Sequence, residues 1–409
     1  MPYGQIRGNT LRVYLNAQNT WANKRKGGKC NVEQFVMNTK VYMGSSCLDK
    51  MKELPVTKAY IICDPFMAQC GKVDMITELL KEKGSSYEVF SEVVPDPTIE
   101  VVSKAIGGMK CFGPDAVIAF GGGSAIDTAK AASHIYSQMG NGKLFLIAVP
   151  TTSGTGSVVT SFSVISDPQA QAKYPLRSDS MVPDAAFLDP RFTVSVPPHI
   201  TADTGMDVLT HALEAYVSTN AGDFTDACAE KAVRLVWNYL ARTVEDGSDM
   251  EARTHMHNAS CLAGVAFNGA SLGLCHSMAH ALGARFHIPH GRSNAILLPH
   301  VISYNAGLED AGEQKACGRY VAIANMLGIA AGTDKATVHG LVRHIKNLMN
   351  KIKIPQQITD LKVDKDEFEQ AVGDMAEKAL ADNCTLTNPR VPVAEEIEAI
   401  YRKLCKGGY

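Results

Sequence analysis

No stretch of this 409-residue chain stays apolar for the ~20 residues that a membrane-spanning helix needs. Charge of one sign is also missing. Forty Lys and Arg stand against 42 Asp and Glu, a net −2, which leaves no electrostatic footprint for nucleic acid. The eleven cysteines are odd in number and fall in no paired CxxC spacing, the usage of a reduced, cytosolic protein with structural thiols. The GxGxxG dinucleotide fingerprint is absent as well. What remains is an ordinary globular composition, 45% apolar and 20% charged, on a chain too long for one core. Two domains in a soluble, intracellular protein are expected.

Residues 1–33 stand apart, with six basic side chains and no acid before Glu33. They lack the apolar core of a secretory signal and are poor in the serine of a transit peptide. A surface-draped or disordered extension is the simpler reading, and a docking segment for a partner the sharper one.

From about Val41 to Pro190, β-branched runs alternate with helical stretches. KAYIICD (58–64), YEVFSEVV (87–94), DAVIAFG (115–121), KLFLIAVP (143–150) and AAFLDP (185–190) read as buried strands. VDMITELLKEKG and TIEVVSKAIGGMKCFG carry helical spacing between them. The alternation predicts an α/β domain over 34–197 with a Rossmann-like, mostly parallel sheet covered on both faces. After the double proline of SVPPHI (195–200) the strand signal fades, which predicts an all-α domain over 198–409.

Two loops in the first half have the chemistry of a phosphate site. In DAVIAFGGGSAIDTAKAA (115–132) a strand runs through glycines into a helix, whose first amides and dipole favour an anion. AVPTTSGTGS (148–157) also leaves a buried strand and offers hydroxyls and glycines. Strand C-termini are where open α/β sheets bind ligands. Asp64 ends a third strand; its carboxylate suits a ribose diol and repels a 2′-phosphate, favouring NAD over NADP, unless it only starts the following turn.

The second half crowds imidazoles. Nine of twelve histidines lie between His199 and His300, four of them in GLCHSMAHALGARFHIPHG (273–291). ITADTGMDVLTHALEAYVS (200–218) reads as a helix capped by Thr201 or Asp203, with Asp207 and His211 on one face. ASLGLCHSMAHALGARF (270–286) reads as a second helix, pairing His276 with His280 in the same way, and His290 follows on a loop fixed by Pro289. One such pair is ordinary; two pairs and a loop histidine suggest a metal, and zinc and iron(II) both suit these donors. His287 reads as a surface residue. A metal that acidifies a hydroxyl, beside a nicotinamide that takes a hydride, is the equipment of an alcohol dehydrogenase.

On FGGGSAIDTAK, PTTSGTGS, GMDVLTHALEAY, GLCHSMAHALGARFHIPHG and the late NPR (388–390), the chain resembles the iron-containing (type III) alcohol dehydrogenases, from about Phe35 to Cys405. ICDPFMAQ, FSEVVPDPTI and DFTDACAEKA look most like the propanol dehydrogenases of bacterial microcompartments. The resemblance implies the dehydroquinate synthase-like two-domain fold and Fe²⁺ as the metal, held by Asp207, His211, His276 and His290. It places His280 near the nicotinamide, as a proton shuttle, an orienting group or a side chain packed behind the metal ligands, and Phe267 in a substrate-pocket wall. It implies NAD contacts at Asp64, Asp96, Gly122, Gly123, Ser124, Thr151, Thr152, Thr155, Val164 and Lys173. The chain departs from the family in reading GTGSVVT, with Val158 where relatives have Glu, and in its leader, since relatives begin near the first strand.

The resemblance further implies a homo-oligomer, reduction of propanal or acetaldehyde inside a microcompartment, and packaging with shell or core proteins through residues 1–33. A lactaldehyde reductase, a dehydroquinate synthase-like lyase and a non-catalytic assembly protein are the alternatives. The apolar flanks of the histidine pairs disfavour the lyase, which must hold a charged substrate, and intact ligands disfavour the assembly protein.

Overall fold

The computed structural model describes residues 34–169, 172–309 and 316–405, so the expected extension over 1–33 lies outside the described residues. The chain packs as two compact units. The first runs to Thr152 and resumes over Gly156–Thr193; the second comprises Val194 onward together with Ser153–Thr155. The sequence reading put its boundary at 197/198 and all of the 148–157 loop in the first unit.

In the first unit, β1 (Lys40–Met43), β2 (Lys58–Cys63), β3 (Ser86–Phe90), β4 (Ala116–Gly121), β5 (Phe145–Pro150) and β8 (Ala185–Leu188) form one sheet in the order β1-β8-β5-β4-β2-β3. Every pairing in it is parallel. Strands β4, β5 and β8 are buried almost throughout, as a sheet covered on both faces requires. Helices α1 (Pro65–Gln69), α2 (Asp74–Lys83), α3 (Ile99–Phe112) and α4 (Gly123–Tyr136) connect the strands. The chain steps from β2 outward to β3, then back across β2 to β4. The carboxyl ends of β2 and β4 therefore flank the topological switch point, where sheets of this kind take their ligands.

The sequence reading missed β1 and the antiparallel hairpin of β6 (Phe162–Asp167) and β7 (Ala172–Arg177). β6 alternates buried and exposed residues instead of running apolar, and Pro175 interrupts the strand signal of β7.

The second unit is helical among the described residues: α5 (Pro198–Val217), α6 (Asp223–Glu245), α7 (Met250–Ala270), α8 (Leu274–Phe286), α9 (His290–Asn305), α10 (Cys317–Met326), α11 (Asp334–Lys351), α12 (Lys365–Ala381) and α13 (Ala394–Lys403). No helix among them is long and apolar enough to cross a membrane.

Three local expectations are corrected. Helix α5 begins at Pro198 without a side-chain cap, because prolines suit a helix's first positions; Thr201 and Asp203 lie inside it. Thr201 Oγ1 instead donates to the Val196 carbonyl, and Asp203 accepts from Arg292 Nε at 2.9 Å. The stretch 270–286 is not one helix: α7 ends at Ala270, Ser271 turns at φ 67°, and α8 starts at Leu274. His290 is not on a loop but is the first residue of α9, with Pro289 at its N-cap.

Candidate functional site

In the first unit the loops of the switch point meet. Asp64 is the N-cap of α1: Oδ1 accepts the Met67 amide at 3.0 Å. Its Oδ2 lies 3.2 Å from where a Cβ on Gly121 would stand. Gly121 has φ +153°, and that Cβ would come within 2.7 Å of Ala125 Cβ, so only glycine passes here without displacing the helix. Gly122 caps α4, and Gly123 and Ser124 form its first turn. The Thr151 amide donates to the Gly121 carbonyl at 3.0 Å, and Thr152 Oγ1 lies 3.4 Å from a Cβ built on Gly122. Asp64, the glycine turn, Thr151 and Thr152 thus surround the start of a fourteen-residue helix, a cradle suited to a dinucleotide's ribose and phosphates.

The other cofactor candidates lie further out. Asp96 is exposed at φ 51°, a left-handed position that Asp and Asn tolerate. Its loop is tied to β6 through the Ser166 amide, which donates to the Pro97 carbonyl at 2.8 Å. Val164 on β6 is 39% exposed, and its amide donates to Asp127 Oδ2 at 3.0 Å. Thr155 is exposed and groups with the second unit. Lys173 stands opposite Ser166 on β7, but its side chain lies outside the described residues.

A buried pin beneath these loops has no counterpart in the sequence reading. Lys130, fully buried on α4, donates from Nζ to Ser157 Oγ, Thr160 Oγ1 and the Phe162 carbonyl at 2.9–3.0 Å. Asp127, one turn earlier, accepts from Ser157 Oγ and the Val164 amide. Burial pushes the Lys130 ammonium down to about 7, yet its three acceptors need three donors, which only the charged form supplies. Val158 is buried in the 3-10 turn Ser157–Val159 above this pin. Lys130→Met should leave those acceptors unsatisfied and lower the unfolding free energy by about 3 kcal/mol in denaturant titrations.

In the second unit, α5, α8 and α9 bring Asp207, His211, His276 and His290 together, with one donor atom from each inside a 4.8 Å span. Asp207 Oδ1 lies 3.8 Å from His276 Nε2 and 3.6 Å from His290 Nε2, and Oδ2 lies 4.0 Å from His211 Nδ1. Asp207, His211 and His276 are buried, whereas His290 is 42% exposed, which leaves the group one open side. Gly291 permits this convergence: a Cβ there would stand 2.2 Å from the Asp203 carbonyl oxygen and 3.2 Å from Asp207 Cβ.

The electrostatics suit a cation. Burial alone would raise the Asp207 carboxyl, but His211, His290, His276 and the Asn294 amide bring it down to about 2. Burial holds His276 well below the ordinary imidazole range, in the neutral form that binds metals. His211 Nδ1 and His276 Nε2 are buried with no hydrogen-bond partner. Buried polar atoms are rarely left so, and a divalent ion among the four donors would satisfy both.

Sequence reasoning missed the residues that hold these four side chains. Glu214, buried on α5, accepts from the Gly273 and Cys275 amides at 3.1 and 2.6 Å, and from His276 Nδ1 at 2.6 Å. The last bond places the His276 proton on Nδ1 and leaves Nε2 to face Asp207; a carboxylate such as Glu214 on the other ring nitrogen is the usual second partner of a metal-bound histidine. Asn388, in the NPR segment, accepts the Leu274 amide at 3.2 Å, so Glu214 and Asn388 share the free amides of the α8 N-terminus. Asn294 donates to Asp207 Oδ1 at 2.7 Å. The available signals were spacings: Glu214 stands seven residues after Asp207, and Asn294 four after His290.

His280 is not within the ligand group. It is 45% exposed, stacks on His290 with ring centroids 5.3 Å apart, and donates or shares a proton with Asp382 Oδ2 at 2.8 Å. Phe267, buried on α7, stacks on His211 at 4.7 Å. His287 is exposed at φ 54°, ending α8.

A parallel sheet with a glycine cradle, and a helical unit with a one-carboxylate, three-imidazole donor set, define a metal-dependent oxidoreductase linked to NAD(P). Comparison with known proteins makes the assignment specific. Residues 38–190 match the iron-containing alcohol dehydrogenase model, and residues 201–405 match the C-terminal model of the Fe-containing alcohol dehydrogenase family. The chain belongs to the iron-containing alcohol dehydrogenase family. It is 45% identical to the 1-propanol dehydrogenase PduQ of Citrobacter freundii, over 91% of this chain and 100% of that protein. It is 39% identical to the NADPH-dependent butanol dehydrogenase of Clostridium saccharobutylicum, over 90% and 97%. Among solved structures, a 1,3-propanediol oxidoreductase superposes with TM-score 0.84 at 32% identity, covering 91% of this chain and 100% of that one. A sulfoacetaldehyde reductase from Bifidobacterium kashiwanohense, in complex with NAD⁺, superposes with TM-score 0.81 at 26% identity, covering 92% and 100%.

Proposed function

We propose that this protein reduces short aldehydes, propanal or acetaldehyde, to primary alcohols with NADH, regenerating NAD⁺. The balance is RCHO + NADH + H⁺ → RCH₂OH + NAD⁺. The observation that carries the reading is the donor set of Asp207, His211, His276 and His290, with two buried ring nitrogens lacking protein partners. Its native ion is taken to be Fe²⁺, with Zn²⁺ chemically acceptable to the same donors. The bound ion supplies a Lewis acid for the carbonyl oxygen, and the nicotinamide supplies the hydride. Asp207 contributes the negative charge of the set and Glu214 fixes the His276 tautomer. Phe267, against His211, gives the substrate an apolar wall. His280, half exposed beside His290, delivers the proton that the new hydroxyl requires.

Asp64, the glycine turn of Gly122, Gly123 and Ser124, and Thr151 and Thr152 hold the dinucleotide, with Asp96, Val164 and Lys173 of the same unit around it. Asp64 sets the preference for NAD. Asp64→Asn keeps the cap on Met67 but removes the charge. It should raise the NADPH-to-NADH ratio of kcat/KM roughly tenfold, the equivalent of ~1.4 kcal/mol, in steady-state assays.

The similarity to 1-propanol dehydrogenases supports propanal, and the structural likeness to a 1,3-propanediol oxidoreductase supports a hydroxyaldehyde such as lactaldehyde as the second reading. Comparing kcat/KM for propanal, acetaldehyde and lactaldehyde tests the choice. A preference for lactaldehyde would overturn the first reading. We further propose that the protein is a homo-oligomer working inside a bacterial microcompartment, with residues 1–33 as its packaging segment. Deleting residues 1–33 should leave turnover intact and abolish co-localisation with shell protein; unchanged packaging would refute that role.

A further inference from the structure

His280 has a partner that the proposed reaction does not yet use. Asp382 Oδ2 lies 2.8 Å from His280 Nδ1, and the neighbouring Cys384 amide donates to Asp382 Oδ1 at 2.8 Å. Both carboxylate oxygens are therefore committed. Asp382 follows α12 directly and opens the 3-10 turn Asn383–Thr387, so its backbone is held from both sides. That turn is fastened to the segment that carries the imidazoles. Thr385 Oγ1 donates to Ser277 Oγ at 2.8 Å, Thr387 Oγ1 donates to the Leu272 carbonyl, and Asn388 caps Leu274. Asp382 is thus placed relative to α8, on which His276 and His280 stand one turn apart.

Stability does not explain this arrangement. His280 is 45% exposed, and ion pairs this open to water contribute little to folding. The consequence is geometric. A carboxylate can only accept, so Nδ1 keeps its proton, and Nε2 is the ring position left to take up a proton and pass it to the new hydroxyl. The same bond sets the ring's angle, which leaves it 17° from the plane of His290.

We infer that Asp382 is the positioning residue for His280, fixing its Nδ1–H tautomer and its stacked orientation beside the metal ligands. The inference rests on the proposed role of His280 in proton delivery. It also assigns the group His280, Asp382 and Cys384, whose donor atoms lie within 4.8 Å of one another, to orientation and not to a second metal ion.

The test compares wild type, Asp382→Asn, Asp382→Glu, His280→Ala and the Asp382→Asn/His280→Ala double variant. All are full-length chains loaded anaerobically with Fe²⁺. Metal content, NADH affinity, thermal midpoint, and kcat and KM for propanal are measured on each. Asp382→Asn should lower kcat by roughly 10- to 100-fold, the usual effect of losing an outer partner of an active-site histidine, with KM and metal content unchanged. Asp382→Glu should restore part of the loss, and the double variant should be no slower than His280→Ala, because residues acting as one unit are not additive. If His280→Ala is slow while Asp382→Asn turns over like wild type, the inference fails and the role of His280 stands. If His280→Ala itself is fully active, the proton-delivery reading fails and the inference with it. A fall in metal content with Asp382→Asn would overturn the inference in favour of a direct part in metal binding.

Discussion

Asp207→Ala should yield a folded chain that neither retains Fe²⁺ nor reduces aldehydes. Asp207 is the carboxylate within 4.0 Å of three imidazole nitrogens, and its charge, held ionised down to about pH 2, is what three neutral rings cannot replace. Losing the Lewis acid forfeits about 4 kcal/mol of charge stabilisation at the reacting oxygen, or roughly 1,000-fold in kcat. NADH binding should persist, since the glycine cradle and Asp64 belong to the other unit. Metal analysis after gel filtration, with NADH fluorescence titration of the same sample, checks both halves. Wild-type metal content in this variant would show that the three histidines suffice.

Glu214→Ala should be nearly as damaging by a different route. The Glu214 side chain accepts from the Gly273, Cys275 and His276 amides and from the His276 ring. Burial pushes its carboxyl up to about 7, but all of these donors favour the charged form. Removing it strands buried donors at the start of α8, at a cost of about 4 kcal/mol in denaturant titration of the metal-free chain. It also frees His276 to rotate or change tautomer, which should weaken metal binding roughly 10- to 100-fold. Metal affinity falling without any loss of apo-chain stability would separate the two roles assigned to this carboxylate.

The pairing of Asp207 with His211 in the four-donor group was legible in the sequence because helical geometry is local. Asp207 and His211 are four residues apart on one helix, so their shared face follows from the repeat alone. Glu214 was not legible, because its partners lie about sixty residues further on, at a helix start whose position depended on the break at Ser271. That break is a non-glycine residue in the left-handed region, which no propensity announces. His290 reads in sequence as standing on a loop fixed by Pro289, whereas the proline occupies the N-cap position of the next helix.

Strands β2, β4, β5 and β8 of the parallel sheet announced themselves as apolar runs, whereas β1, four residues long and partly exposed, did not. Nor did the β6–β7 hairpin, because β6 alternates buried and outward-facing residues and Pro175 sits within β7. Lys130 shows a further limit. On sequence it is one lysine on a helix, and only folding surrounds it with three acceptors from the 157–162 segment.

The most direct test is anaerobic NADH oxidation with propanal, using metal-free protein reloaded separately with Fe²⁺ and Zn²⁺, beside His276→Ala treated identically. The account predicts turnover that depends on added metal, is strongest with Fe²⁺ and is lost in the variant. Metal-independent aldehyde reduction, or none with either ion despite bound NADH, would contradict it.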